Sequence, residues 1–284
     1  MDKQRIVFWL GCHALRHSDT IRLSIAIMER LGVDVRTVGG ARYCCGTGKD
    51  VNIKSEDGLG KTTLSRINDL GRDEVVTYCP SCQTHFDNFM SEVNVVGADF
   101  GHLVKFLHRH REMLAAQLST PVERRIALHT HVGFQSRVPI NEMARDLLRM
   151  IPGIDLVEAD NPVPGVQCSA AYVTRPNMKS HLAETLVRTV RVHKVDNIVT
   201  IFSACQRQLC DVVLPDGAEL VNFVKLLALS MGIGDYQEDV YKTWRTAGDE
   251  AAVRNAIGAE AIARVGEKNF GLFVLPELVK AAGR

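Results

Sequence analysis

Two stretches decide the architecture: Asp73–Cys82, DEVVTYCPSC, and Asp196–Cys205, DNIVTIFSAC. Each is a short apolar run rich in β-branched residues that ends in a cysteine, the pattern of a buried strand. The second lies 123 residues after the first, and the same offset carries Cys45 to Cys168 and Cys82 to Cys205. Two matches at one offset indicate an internal duplication.

Reading outward, RIVFWLGC is a strand, DTIRLSIAIMERLG a helix with Ser18 or Asp19 as its cap, and VDVRTVGG a second strand. GLGKTTLSRINDLG then reads as a helix, and QTHFDNFMSEV as another after the DEVVTYCPSC strand. FGHLVKFLHRHREMLAAQL reads as one longer helix and STPVERR as a linker. The order then starts again with RIALHTHVG, INEMARDLLRMIPG, IDLVEAD, MKSHLAETLVRTVRVHKV and DNIVTIFSAC. The expectation is an α/β protein of two tandem related domains, residues 1–117 and 118–284, each a parallel sheet flanked by helices. The C-terminal alanine-rich helices are assigned to the second domain, with a further contact to a partner protein as the alternative. In an open α/β sheet, ligands sit beyond the carboxyl ends of the strands, which is where the cysteines of the first half fall.

With 34 basic and 33 acidic residues among 284, the chain has no single-sign block of the kind that binds nucleic acid. No apolar run approaches the roughly 18 residues of a membrane helix, and the N-terminus lacks the marks of a signal peptide. A cytoplasmic protein without a direct membrane span is expected. Eight cysteines then argue for metal or redox chemistry rather than a disulfide framework. Five of them form one constellation: Cys12, Cys44-Cys45-Gly46 and Cys79-Pro80-Ser81-Cys82. Five thiolates exceed the four that a structural zinc site takes and suit an iron-sulfur cluster, with zinc on four of them as the alternative. Gly46 gives the double-cysteine turn its backbone freedom.

LGCHALR, RYCCGTG and TYCPSCQTHF resemble the cysteine-rich CCG domain found in heterodisulfide reductases and in the iron-sulfur proteins of glycolate-oxidase and lactate-utilisation systems. That family also carries the domain in tandem. The resemblance implies a noncubane 4Fe-4S cluster ligated by Cys12, Cys44, Cys45, Cys79 and Cys82, at which a disulfide is cleaved to two thiols. It implies an oxidoreductase acting on sulfur groups, one component of a heterodisulfide-reductase-like complex with iron-sulfur or flavoprotein partners. An electron-relay component of a hydroxy-acid or fatty-acid oxidation system and a structural zinc scaffold are the alternatives. His13, next to Cys12, is a candidate proton or hydrogen-bond donor to cluster sulfur.

In the second copy the repeat sets Val132, Gln167 and Phe202 opposite Cys12, Cys44 and Cys79, so a second cluster of the same type is not expected. Cys168 and Cys205, with His129 and His131 of an HxH at a strand end, are read as a remnant site, a reduced metal site or plain thiols; Cys210 is read as a buried small hydrophobe. GLGKTT has Ser55 where a phosphate loop needs glycine, and no GxGxxG follows a strand. Electrons are therefore expected from a partner protein.

Overall fold

The computed structural model describes residues 3–12, 14–46, 58–89, 99–130, 139–159, 178–234, 239–247, 249–276 and 278. The first sheet comprises β1 (Arg5–Gly11), β2 (Asp34–Gly39), β3 (Glu74–Thr77) and β4 (Asp99–His102), all parallel in the order β2-β1-β3-β4. From Ile6 onward every residue of β1 is buried, because helices cover a parallel sheet on both faces. Helix α1 (Ser18–Arg30) joins β1 to β2, α2 (Leu59–Asn68) precedes β3, and α3 (Pro80–Phe89) follows it. The second sheet repeats this with β5 (Arg124–His129), β6 (Ile154–Val157), β7 (Asn197–Thr200) and β8 (Glu219–Asn222), in the order β6-β5-β7-β8. Its helices are α6 (Ile140–Arg149), α7 (Met178–His193) and α8 (Ser203–Leu209). The α/β duplication expected from the sequence is thus present in the topology.

It is also present bond by bond. The amide of Arg5 donates to Asp73 Oδ2 at 3.0 Å, and that of Arg125 to Asp196 Oδ2 at 2.7 Å. The hydroxyl of Thr77 meets Gln83 Oε1 at 3.1 Å and the Gly101 carbonyl at 3.3 Å. Thr200 meets Gln206 Oε1 at 2.7 Å and the Val221 carbonyl at 3.3 Å. His102 Nε2 donates to the Tyr78 carbonyl at 3.2 Å; Asn222, in the same register position, donates to the Ile201 carbonyl at 3.4 Å.

Several local expectations are corrected. Each sheet has a fourth strand, β4 and β8, inside stretches whose apolar periodicity reads as helix. Both strands have four residues and run directly into a helix, α4 (Leu103–Arg109) and α9 (Phe223–Ser230), so no turn residues mark the change. The longer helix expected there also breaks at His110, with α5 (Arg111–Ala115) beyond it. The third strand ends at Thr77, not Cys82; α3 begins at Pro80, where the missing N–H and fixed φ of proline suit a first helical position. At the start of α1 His17 occupies the N-cap without a side-chain capping bond, while the Ser18 hydroxyl turns to the Ile257 carbonyl at 3.5 Å.

By contacts the chain divides into residues 1–103 with 243–284, and residues 104–242. The boundary at 117/118 is a division by repeat, and these units are a division by packing. Helices α11 (Glu250–Ile257), α12 (Ala259–Val265) and α13 (Glu267–Phe273) fall in the first unit, following α10 (Val240–Ala247). Arg254 stacks on the Phe270 ring at 4.0 Å and forks onto Glu267 at 2.9 and 3.0 Å, which ties α11 to α13.

Candidate metal centre

In the first sheet the chain leaves β1 toward β2 on one side and later enters β3 on the other, so the crevice beyond β1 and β3 is the topological switch point. Cys12 follows β1 there. Cys79 precedes α3, and Cys82 lies in that helix's first turn. The double cysteine comes from beyond β2, after the short 3-10 turn Ala41–Tyr43. Three strand ends therefore deliver five sulfurs to one end of one sheet.

The end of β1 is shaped for this. Its register with β2 slips between Trp9 and Gly11, a bulge at the last residues before Cys12. Gly11 has φ +64°, and a Cβ there would lie 3.0 Å from Cys82 Sγ and 3.8 Å from Cys79 Cβ. Glycine is needed on both counts, conformation and space. Gly46, at φ +84°, closes the double-cysteine turn as the sequence leads one to expect, and its amide donates to Cys44 Sγ at 3.5 Å.

The five thiols meet in two overlapping groups. Cys12 is hydrogen-bonded to Cys44, and this bond, then burial, then the proximity of Cys44, Cys79 and Cys45, raises its pKa far above the usual thiol range. Cys82 is raised by burial first and then by hydrogen bonds with Cys45 and Cys79. Adjacent residues thus serve opposite sides: Cys44 turns to Cys12, while Cys45 joins Cys79, Cys82, Trp9 and Phe86 in the core. Four of the five are buried and Cys12 is half-buried.

In this protonated, hydrogen-bonded arrangement no three His, Cys, Asp or Glu side chains among the described residues close on one point as ligands of a single ion do. The donor chemistry, five soft sulfurs from three loops, fits an iron-sulfur cluster better than a four-coordinate zinc. Loading either would release the thiol protons.

Beyond the cysteines, sequence reading does not point to the side chains that hold the double-cysteine loop. Arg66 Nη1 donates to the Arg42 carbonyl at 2.8 Å, Trp9 Nε1 to the Tyr43 carbonyl at 2.8 Å, and Thr63 Oγ1 to the Cys44 carbonyl at 2.7 Å. Thr63 belongs to GLGKTT, which is a helix start as its sequence implies: α2 begins at Leu59 and the Thr62 hydroxyl bonds back to the Gly58 carbonyl.

Of the remaining candidates, His13, His131 and Cys168 lie outside the described residues. His129 ends β5 and is buried; Cys205 sits in the first turn of α8 and is buried, as is Cys210. The seven described cysteines form no disulfide.

Residues 6–87, which contain all five cysteines, match the family model of the cysteine-rich domain, CCG. Over 249 residues the chain is 22% identical to a polypeptide of the dihydromethanophenazine:CoB--CoM heterodisulfide reductase of Methanosarcina acetivorans, covering 82% of this chain and 60% of that one. The corresponding polypeptide of Methanosarcina barkeri is 20% identical over 248 residues with the same coverage. The chain therefore spans about 60% of the length of these curated relatives. Among solved structures, the glutamate racemase of Aquifex pyrophilus superposes with a TM-score of 0.31 at 14% identity, covering 83% of this chain and 85% of that one, a superposition that implies no shared chemistry.

Proposed function

We propose, from the premise that residues 6–87 are a CCG cysteine-rich domain, that this protein is the iron-sulfur component of a heterodisulfide-reductase-like complex that interconverts a disulfide and its thiols. Its ligands in this reading are Cys12, Cys44, Cys45, Cys79 and Cys82, and the group they hold is a noncubane 4Fe-4S cluster. The observation that carries the reading is the delivery of five sulfurs from three strand ends to one switch point.

When bound, such a cluster supplies electrons one at a time and iron sites with affinity for sulfur. The chain's own residues do the rest. Gly11 clears the space in front of Cys79 and Cys82, and the Gly46 amide offers a hydrogen bond to the sulfur of Cys44. Burial of four cysteines keeps water from the sulfur set, while half-buried Cys12 marks the side open to approach. Reducing the disulfide breaks one S–S bond and consumes two electrons and two protons; thiol oxidation is the reverse. The electrons come from or go to an iron-sulfur or flavoprotein partner. A cytoplasmic site of action completes the proposal.

Burial of four of the five sulfurs favours a second reading, an electron relay in a hydroxy-acid oxidation system that makes no bond to substrate sulfur. One experiment separates the readings. Protein purified anaerobically should carry about four irons per chain with the paramagnetic spectrum of a cluster, and Cys44→Ala should lose them. Addition of a disulfide to the reduced protein should yield two thiols per two electrons lost. Reoxidation without new thiols would leave the relay, and about one zinc without iron would sink both.

A further inference from the structure

Three consecutive carbonyls, those of Arg42, Tyr43 and Cys44, are each taken by a side chain from outside their loop. Two of the donors, Thr63 and Arg66, lie three positions apart on one face of α2, and the third, Trp9, comes from β1. Buried carbonyls must find donors somewhere, so a single such bond would mean little. The arrangement around Cys44 is more specific. Its Cα stands between two rigid, planar peptide units, and a residue has only the two soft dihedrals that relate such planes. Trp9 restrains the plane before Cys44 and Thr63 the plane after it, which narrows φ and ψ of Cys44 and with them the direction of its Cα–Cβ bond. Beyond these χ1 remains, and the Gly46 amide engages the sulfur.

We propose that Thr63 and Trp9 are positioning residues that aim the Cys44 thiol at its ligand place before any cluster arrives; this rests on the reading of Cys44 as a ligand. A second observation separates this device from the shared scaffold. The register position of Trp9, opposite Thr77, is held in the second sheet, opposite Thr200, by His129. The bonds of Thr77 and Gln83 are repeated there by Thr200 and Gln206, yet the indole is not. The Trp9 bond accompanies the complete set of cysteines, not the fold.

The test uses the full chain with Thr63→Val, which keeps the shape and removes the hydroxyl, and Thr63→Ser, which keeps the hydroxyl. In anaerobically purified protein, Thr63→Val should lose iron to a chelator about fivefold to tenfold faster than wild type, the scale of one hydrogen bond. Its cluster spectrum should shift, and Thr63→Ser should match wild type in both. In metal-free protein, amide hydrogen exchange of Cys45 and Gly46 should quicken in Thr63→Val and not in Thr63→Ser. Trp9→Phe removes the other bond, and Arg66→Ala, at a half-buried position, loosens the neighbouring carbonyl, so both should act in the same direction should Thr63→Val fail to fold. Unchanged exchange and unchanged iron loss in these variants would overturn the proposal. Wild-type protein without iron would instead defeat the functional reading, and the exchange comparison would still decide this one.

Discussion

Replacing His102 by Asn should flatten the acid limb of the stability curve while leaving the fold intact. His102 is buried at the carboxyl end of β4, where Nε2 donates to the Tyr78 carbonyl, and burial pushes its pKa down to about 4 against that bond's opposing effect. An unfolded histidine titrates near about 6.5. Below that pH the unfolded chain takes up a proton that the folded chain refuses, so the neutral ring's contribution is complete above about 6.5 and is lost as the pH falls toward 4. Between neutral pH and about pH 4.5 the loss amounts to about 2 kcal/mol. Asparagine does not titrate, and the second sheet shows that it can do the same work. Asn222 donates to the Ile201 carbonyl and also accepts from the Val224 amide at 3.1 Å, capping α9. His102→Asn should therefore unfold in urea much like wild type at neutral pH, and hold its stability better on acidification by about 2 kcal/mol. Metal-free protein is the right sample, because acid also strips thiolate-bound metal. Parallel pH profiles for the two proteins would refute the reasoning, since they would mean that the buried ring carries no proton linkage.

Phe86 is fully buried, edge-on to Trp9 at 4.3 Å and stacked on Phe100 at 5.6 Å. Phe86→Ala should cost about 3–5 kcal/mol in chemical denaturation, and a loss below about 1 kcal/mol would show that the site behind the cysteines collapses freely. Asp249 caps α11 by accepting the Ala252 amide at 2.7 Å. Asp249→Ala should destabilise by about 1 kcal/mol, read as a lowered melting temperature with unchanged iron content.

The duplication was legible because it is written in residue types. A fixed offset between cysteines survives divergence around them, and short β-branched or aromatic runs such as RIVFWLGC read as strands covered on both faces. The β4 and β8 strands were not legible. DFGH and ELVN have four residues each, and a helix starts at the next residue, so the local pattern is that of the helix. Within the site, all five cysteines could be read, because thiols at such spacings have few other uses. Gly11 was not legible, since the nearness of Cys82 to its α-carbon is a tertiary fact. Trp9, Thr63 and Arg66 gave no sign at all: a donor to a distant backbone carbonyl needs no partner of a given type, so nothing in the sequence marks the pair.

Comparison of the two sheets separates what builds the fold from what builds the centre. The bonds repeated in both, from Arg5 and Arg125, Thr77 and Thr200, and His102 and Asn222, each join a backbone group to a side chain at the same place in the sheet and use no sulfur. The pairing of the scaffold therefore does not depend on the thiols. Two residues beyond Thr77 stands Cys79; two beyond Thr200 stands Phe202, fully buried, an apolar ring where the first unit presents a ligand-type thiol. Cys205 is kept one helical turn later and is equally buried, a place that a small apolar thiol suits. The first sheet shows the converse: Gly11, the bulge before it and the Trp9 bond to the loop are features that the pairing of a parallel sheet does not require, and they lie where the five sulfurs gather.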